Sequence, residues 1–272
     1  MTSDGDDAGT AAVPALAPVT WSLTNQGVMT ITLNDPEARN VLNNRSVPML
    51  IEAFELAASD DRARVVVLTG TGNTFCAGAD LRGAVTPEGA FDDRAPAAVA
   101  RLLALMLDCP KPVVGRVQGH VAGGGNGLVA ACDLAVAVES ARFAFSEVRV
   151  GVAPAVISTV CLRRMPAALA AELFLTGERV SAERAREAGL VHQVVEESAL
   201  DAAVQAYVDA LLLGGPKALA ATKELLRRVP TMTREEGFVW TSTLSAELFA
   251  SAEATEGMTA FVERRPPAWA PR

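Results

Sequence analysis

Histidine and tyrosine are nearly missing from this chain of 272 residues, which has two of the first and one of the second, and aromatic residues of every kind make up 5%. The four cysteines, Cys76, Cys109, Cys132 and Cys161, form no C-x-x-C pair, and only His120 and His192 could join them. That set lacks the spacing of a zinc site, so no metal is expected and the thiols read as core residues. Positive charge is also short: 24 Lys and Arg against 32 Asp and Glu leave a formal net charge of -8. An acidic chain has no general attraction for phosphate backbones or anionic bilayers, which excludes nucleic acid and membrane surfaces as partners. No base precedes Arg39, and residues 1–18 carry only acids, so they read as a disordered leader rather than a secretory or transit peptide. The longest apolar stretch, Leu128 to Val138, is broken by Asp133 and falls short of the roughly 20 residues that span a bilayer. A soluble cytoplasmic protein with reduced thiols is expected.

What the chain does have is apolar periodicity. Val28 to Leu33 alternates as a strand, and Asn34-Asp35-Pro36 turns the chain. A helix follows, with Ser46 as N-cap, Pro48 in the first turn, and Leu50, Ile51, Phe54 and Ala58 at helical spacing. Val65 to Thr69 is a β-branched run suited to a strand buried on both faces. Val99, Leu102, Leu103 and Met106 mark a second helix, stopped by Pro110 and Pro112, and Val113, Val114 and Val117 supply the next strand. The last third is helical. Leu200, Val204, Val208 and Leu211 share one stripe that ends at Gly214-Gly215-Pro216, and Thr233-x-x-Glu236 is a capping box ahead of Val239, Trp240, Leu244 and Leu248. No exact repeat is present, and the residues alone predict an α/β core with a helical C-terminal section.

Three segments could carry chemistry. Gly119 to Gly127, with three consecutive glycines, lies between a buried strand and an apolar run. If a helix opens near residue 125, its first N–H groups have no intrahelical acceptor and can hold developing negative charge. A tight strand-to-helix turn needs the same glycines, and Gly125-Asn126-Gly127-Leu128-Val129-Ala130 with Glu147 beyond it also fits a dinucleotide fingerprint, although two strand-helix units already precede it. Thr69 to Leu81 is a second small-residue turn after a buried strand, with Asp80 as a possible helix cap and the amides near Ala79 able to donate. In Arg142 to Arg149, an extended chain puts Phe143, Phe145 and Glu147 on one face. Desolvation there would raise the pKa of Glu147 toward the range of a general base, whereas Arg149 on the same face could pair with it and lower the pKa.

These residues, taken together, resemble the crotonase superfamily, also called the enoyl-CoA hydratase/isomerase family. The resemblance runs from about Val19 to Trp269 and includes Arg39-Asn40-Val41-Leu42-Asn43, Phe75 to Leu81, Gly123-Gly124-Gly125, Glu147, Ala188-Gly189-Leu190-Val191 and Glu256 to Pro266. It implies a spiral of ββα units over residues 19–198 and a C-terminal helical region over 199–272 that trimerises, with trimers pairing into hexamers. It also implies an acyl-CoA thioester as substrate, no further cofactor, and an enolate held by the N–H groups of Ala79 and Gly124. Arg39, Val41, Ala77, Ala79, Asp80, Leu81 and Arg82 match the CoA-binding positions. Ordinary hydratases of the family carry two glutamates, and the position of the first is Gly127 here, so Glu147 is the single carboxylate. Ala155 stands where dienoyl-CoA isomerases carry an aspartate. The run Ser146 to Ser158 looks closest to bacterial hydratases of the methylglutaconyl-CoA type. The resemblance therefore implies hydration of a 2-enoyl-CoA, with 3-enoyl to 2-enoyl isomerisation, or acyl-CoA binding without turnover, as the alternatives.

Overall fold

The computed structural model describes residues 17–80 and 94–271. The chain opens with an antiparallel hairpin, β1 (Val19–Leu23) and β2 (Val28–Leu33), and α1 (Ser46–Ser59) follows. The next unit is β3 (Val65–Gly70), β4 (Thr74–Cys76) and α2 (Arg94–Asp108), and the third is β5 (Val113–Val117), β6 (His120–Ala122) and α3 (Gly124–Ala131). A fourth contains β7 (Leu134–Val138), β8 (Arg142–Ala144), a 3-10 turn over Ser146–Val150 and α4 (Ala155–Cys161). Then come α5 (Ala167–Thr176), β9 (Arg179–Ser181), α6 (Ala182–Glu187), β10 (Gln193–Val195), α7 (Leu200–Leu212), α8 (Pro216–Arg228), α9 (Arg234–Phe249) and α10 (Ala252–Glu263).

In the second, third and fourth units the two strands enter different sheets. The β1–β2 hairpin, the first strands β3, β5 and β7, and β10 build a six-stranded sheet in the order β1-β2-β3-β5-β7-β10, parallel except for β1, and the second strands β4, β6 and β8 with β9 build a four-stranded sheet, β4-β6-β8-β9, parallel except for β9. This is the ββα spiral that the resemblance implied. Periodicity alone showed one strand per helix, because β4, β6 and β8 have three residues each and cannot display an alternation.

All six residues of β3 are buried, as its β-branched run predicts. Helix α1 forms where expected, but Ser46 is not its N-cap. Asn43 Oδ1 accepts from Arg45 N and Ser46 N, both at 2.9 Å, while the Ser46 hydroxyl is turned inward and donates to Val41 O at 2.8 Å. On α7 the stripe closes with Leu212 rather than Leu211, which is half-buried, and the helix packs on β5 and β7. Helix α9 carries the capping box read from Thr233 and Glu236, yet its only buried residue is Gly237.

A buried lysine and a half-buried arginine tie the C-terminal helices to the spiral. Lys223 Nζ on α8 pairs with Asp133 Oδ2 at 2.8 Å and donates to Met106 O and Lys111 O, while Asp133 also accepts from Val113 N at 2.7 Å. Arg64 donates to Trp269 O and Gly214 O, both at 2.9 Å, which holds the chain after α10 against the start of β3. No described helix is long and apolar enough to cross a membrane.

Candidate active site

The C-terminal ends of the parallel strands β4, β6 and β8 gather the three segments singled out above, in keeping with the general placement of ligand sites at strand carboxyl ends in parallel sheets. Strand β4 runs into Ala77-Gly78-Ala79. Gly78 has φ +86°, and a Cβ there would lie 2.8 Å from Ala122 O and 3.1 Å from Gly124 N, so the turn must be glycine for the two loops to touch. Leu42 N donates to Gly78 O at 2.8 Å and Asp80 N donates to Leu42 O at 3.1 Å. In such a parallel bridge the residue between the two bonded groups points its own N–H away, so Ala79, which is exposed, presents its N–H outward.

Strand β6 ends at Ala122 and Gly123 turns the chain with φ +50° directly into α3. The helix opens at Gly124, one residue before the predicted start, so the Gly124 N–H is a first-turn donor with no intrahelical acceptor. Asn126 secures the turn: its Nδ2 donates to Ala144 O at 2.8 Å, and Gly123 N donates to the same carbonyl at 3.0 Å. Gly125, Asn126 and Gly127 lie within α3 rather than in a strand-to-helix loop, so the backbone lacks the turn that a dinucleotide fingerprint requires.

Glu147 reaches the second turn. Its Oε1 lies 3.5 Å from the point a Gly123 Cβ would occupy, and its Oε2 is buried with no hydrogen-bond partner among the described residues. The extended chain expected from Phe143 to Arg149 stops early: Phe143 and Phe145 are buried, Phe145 against the Phe174 ring at 4.4 Å, and the backbone then winds into the 3-10 turn. That winding decides the contest over the Glu147 pKa. Arg149 is carried off to Thr176 O, with Nη2 at 3.2 Å, so burial dominates and pushes the carboxyl above its ordinary value of 4.5, opposed only by its own backbone N–H. The Cys161 thiol stands nearby and is pushed up to about 12, by burial first and by the Glu147 charge second.

At Gly127 a Cβ would lie 2.5 Å from Ile157 Cγ2 and 3.4 Å from Leu103 Cδ1. The space in which the usual first glutamate would project is thus filled by apolar side chains from α4 and α2. Sequence reasoning noted the glycine but not its partner, because Ile157 lies thirty positions on and nothing local connects the two.

Of the matched CoA positions, Arg39 and Ala77 meet directly, with Ala77 N donating to Arg39 O at 3.1 Å. Arg39 and Asn40 both adopt positive φ, held by Asn40 Nδ2 donating to Thr74 O at 2.7 Å and to Thr71 O at 2.9 Å. Val41 is half-buried and Asp80 adjoins Ala79. Leu81 and Arg82, and any helix that Asp80 would cap, fall outside the described residues. His192 is structural, its Nδ1 accepting from Ala135 N at 3.1 Å, and all four cysteines are buried free thiols. No group of three or more potential metal ligands occurs among the described residues.

Two amide-bearing turns pressed together, with a desolvated carboxylate over one of them, can stabilise an oxyanion while one group moves a proton. Comparison with known proteins agrees in kind. The (E)-benzylidenesuccinyl-CoA hydratase of Thauera aromatica is 35% identical over 254 residues, 93% of this chain and 98% of that protein. The 2,3-dehydroadipyl-CoA hydratase of Escherichia coli is 35% identical over 246 residues, 89% of this chain and 94% of that protein. The crystal structure of an enoyl-CoA hydratase from Mycobacterium smegmatis superposes with a TM-score of 0.87 at 34% identity, covering 93% of this chain and 98% of that one. A sequence profile described as Enoyl-CoA hydratase/isomerase matches residues 23–272, and the chain therefore belongs to the enoyl-CoA hydratase/isomerase family.

Proposed function

We propose that this protein hydrates a 2-enoyl-CoA thioester with Glu147 as its one acid–base group. The observation that carries the reading is the Glu147 carboxylate, half in the protein with a buried unpartnered oxygen, set against Gly123 beside the turns that bear Ala79 and Gly124. The ionised carboxylate takes a proton from water as the water oxygen bonds to Cβ, and the Cα=Cβ electrons move through the thioester to its oxygen. The N–H groups of Ala79 and Gly124 hold that oxyanion, each such donor contributing about 3 kcal/mol at the transition state. The neutral carboxyl then returns the proton to Cα, and the thioester carbonyl re-forms.

The apolar filling at Gly127 favours one second reading. A site whose described residues offer no second carboxylate to hold water also suits 3-enoyl to 2-enoyl isomerisation, in which Glu147 carries a proton between Cα and Cγ. Incubation with 2-enoyl-CoA and 3-enoyl-CoA of several chain lengths, followed by mass spectrometry, separates them: hydration adds one water and isomerisation leaves the mass unchanged. Loss of at least about 10²-fold in kcat/KM is expected for Glu147→Gln, and an unchanged rate would remove its role. Binding of acyl-CoA without any exchange of the Cα proton for solvent deuterium would instead identify a non-catalytic binder.

The reading extends to a branched acyl group of the methylglutaconyl type, to action in the cytoplasm without a further cofactor, and to a homotrimer that can pair into a hexamer. The trimer is supported by the apolar side chains that α9 and α10 leave uncovered, among them Phe238, Val239, Phe249, Phe261 and Val262, each more than two-thirds exposed.

A further inference from the structure

We propose that Asn126 is a positioning residue for the reaction: its side-chain amide clamps the Gly123 turn to the end of β8 and so fixes where the Gly124 N–H stands relative to the Glu147 carboxylate. The role in the reaction rests on the function proposed above; the clamp does not.

The clamp sits where two paired strands part. Val121 pairs with Phe143 and Ala122 with Ala144, and beyond them the two chains separate. One turns at Gly123 into α3, with Gly124 at its start, and the other runs through Phe145 into the 3-10 turn that carries Glu147. Gly123 N donates to Ala144 O at 3.0 Å. Asn126 brings a second donor to that carbonyl: its Nδ2 lies 2.8 Å from Ala144 O and 3.3 Å from Gly123 O. The oxyanion donor and the acid–base group therefore branch from one carbonyl that one side chain holds. Helix α4 bears on the same residue, because Cys161 Sγ donates to Asn126 O at 3.8 Å.

Stability alone is a poor account of this amide. Asn126 is fully buried, and its Oδ1 has no hydrogen-bond partner among the described residues. A buried amide that pairs its nitrogen and leaves its oxygen unpaired forfeits much of what its hydrogen bonds contribute. The residues beside it in α3, from Gly125 to Ala131, are buried as well, so an apolar side chain would suit this interior. An apolar side chain could not hold Ala144 O, and the Gly123 turn would then be free to shift against β8. Glu147 Oε1 lies 3.5 Å from the point a Gly123 Cβ would occupy, so such a shift changes the spacing between carboxylate and turn directly. Misplacing a reacting group by about 1 Å costs on the order of 10²-fold in rate. The groups that face Glu147 do not hold it in place: Arg149 donates to Thr176 O instead, and the Cys161 thiol on α4, pushed up to about 12, stays neutral.

The test compares Asn126→Leu and Asn126→Ser with the wild type in the full-length protein. Leucine has a similar size and no donor; a serine hydroxyl, one bond shorter, can still bond back to Gly123 O within the helix but does not reach Ala144 O. Cys132→Ala, at the far end of α3, is the control for stability, since Cys132 is buried and its Sγ donates only to Leu128 O. Both Asn126 variants are expected to lower kcat on 2-enoyl-CoA by at least about tenfold while KM stays within about twofold. Cys132→Ala is expected to lower the melting temperature with kcat unchanged. The second readout needs no substrate: a carbon-13 NMR titration of the Glu147 carboxyl, assigned with Glu147→Gln. The carboxyl is raised above 4.5 by burial in the wild type and is expected to move back toward 4.5 in both Asn126 variants, as the loosened turn admits water. An unchanged kcat with an unchanged Glu147 titration in Asn126→Ser would overturn the proposal, as would a kcat that falls in all three variants in step with melting temperature. A wild type that turns over no enoyl-CoA would overturn the hydratase reading alone, and the titration would still decide whether Asn126 governs the placement of Glu147.

Discussion

Gly127→Ala isolates the packing of Ile157 against α3 at the position where the family's first glutamate would stand. An alanine in the interior of α3 would ordinarily stabilise the helix by about 0.5–1 kcal/mol relative to glycine. Here its Cβ would lie 2.5 Å from Ile157 Cγ2 and 3.1 Å from Ile157 Cβ, where carbon atoms prefer roughly 3.5–4.0 Å. Ile157 is 4% exposed and has little room to withdraw. Overpacking of this kind costs about 1–3 kcal/mol, so the substitution is expected to destabilise by about 1–2 kcal/mol despite the helix gain. Ile157→Ala alone opens a cavity at a cost of about 2–5 kcal/mol. In that background the new methyl group partly refills the space, and Gly127→Ala is expected to stabilise. The double-mutant cycle, read by urea unfolding at one protein concentration, should therefore show a coupling of at least about 1 kcal/mol. Gly127→Ala stabilising the wild-type and Ile157→Ala backgrounds equally would refute the claim that Ile157 fills the position.

Burial raises the Glu147 pKa, and the general base acts ionised, so the acidic limb of kcat/KM should fall at a pH above 4.5. The same shift makes the folded state bind the proton more tightly than the unfolded chain, so wild-type stability should decline relative to Glu147→Gln as pH rises through and beyond 4.5, which paired thermal melts at pH 4 and pH 8 would show. Lys223→Met leaves Asp133 without its cationic partner at the junction of α8 with the spiral, only the Val113 N–H remaining, and should cost about 3 kcal/mol in chemical denaturation. Phe261→Asp, at a position 85% exposed in the single chain, should shift the sedimenting species toward monomer if α10 forms the subunit contact.

Much of the fold was legible from residue order. The run Val65–Thr69 required a strand buried on both faces, and the α2 stripe of Leu102, Leu103 and Met106 is buried where helical spacing put it. The site was legible as three separate segments, because glycines that must let backbones touch and a glutamate that follows buried phenylalanines leave local marks. Short strands did not, since three residues carry no period.

The sequence by itself settled which residues could supply amides and a carboxylate, for the turn types and side chains are properties of each segment. Only the tertiary structure decided their environment. The 3-10 turn after Phe145 sends Arg149 to Thr176 and leaves Glu147 desolvated, and α4 lays Ile157 against Gly127. Whether an acid is paired or merely buried, and whether a glycine is open or filled, depends on atoms from distant elements, which chain order does not bring together.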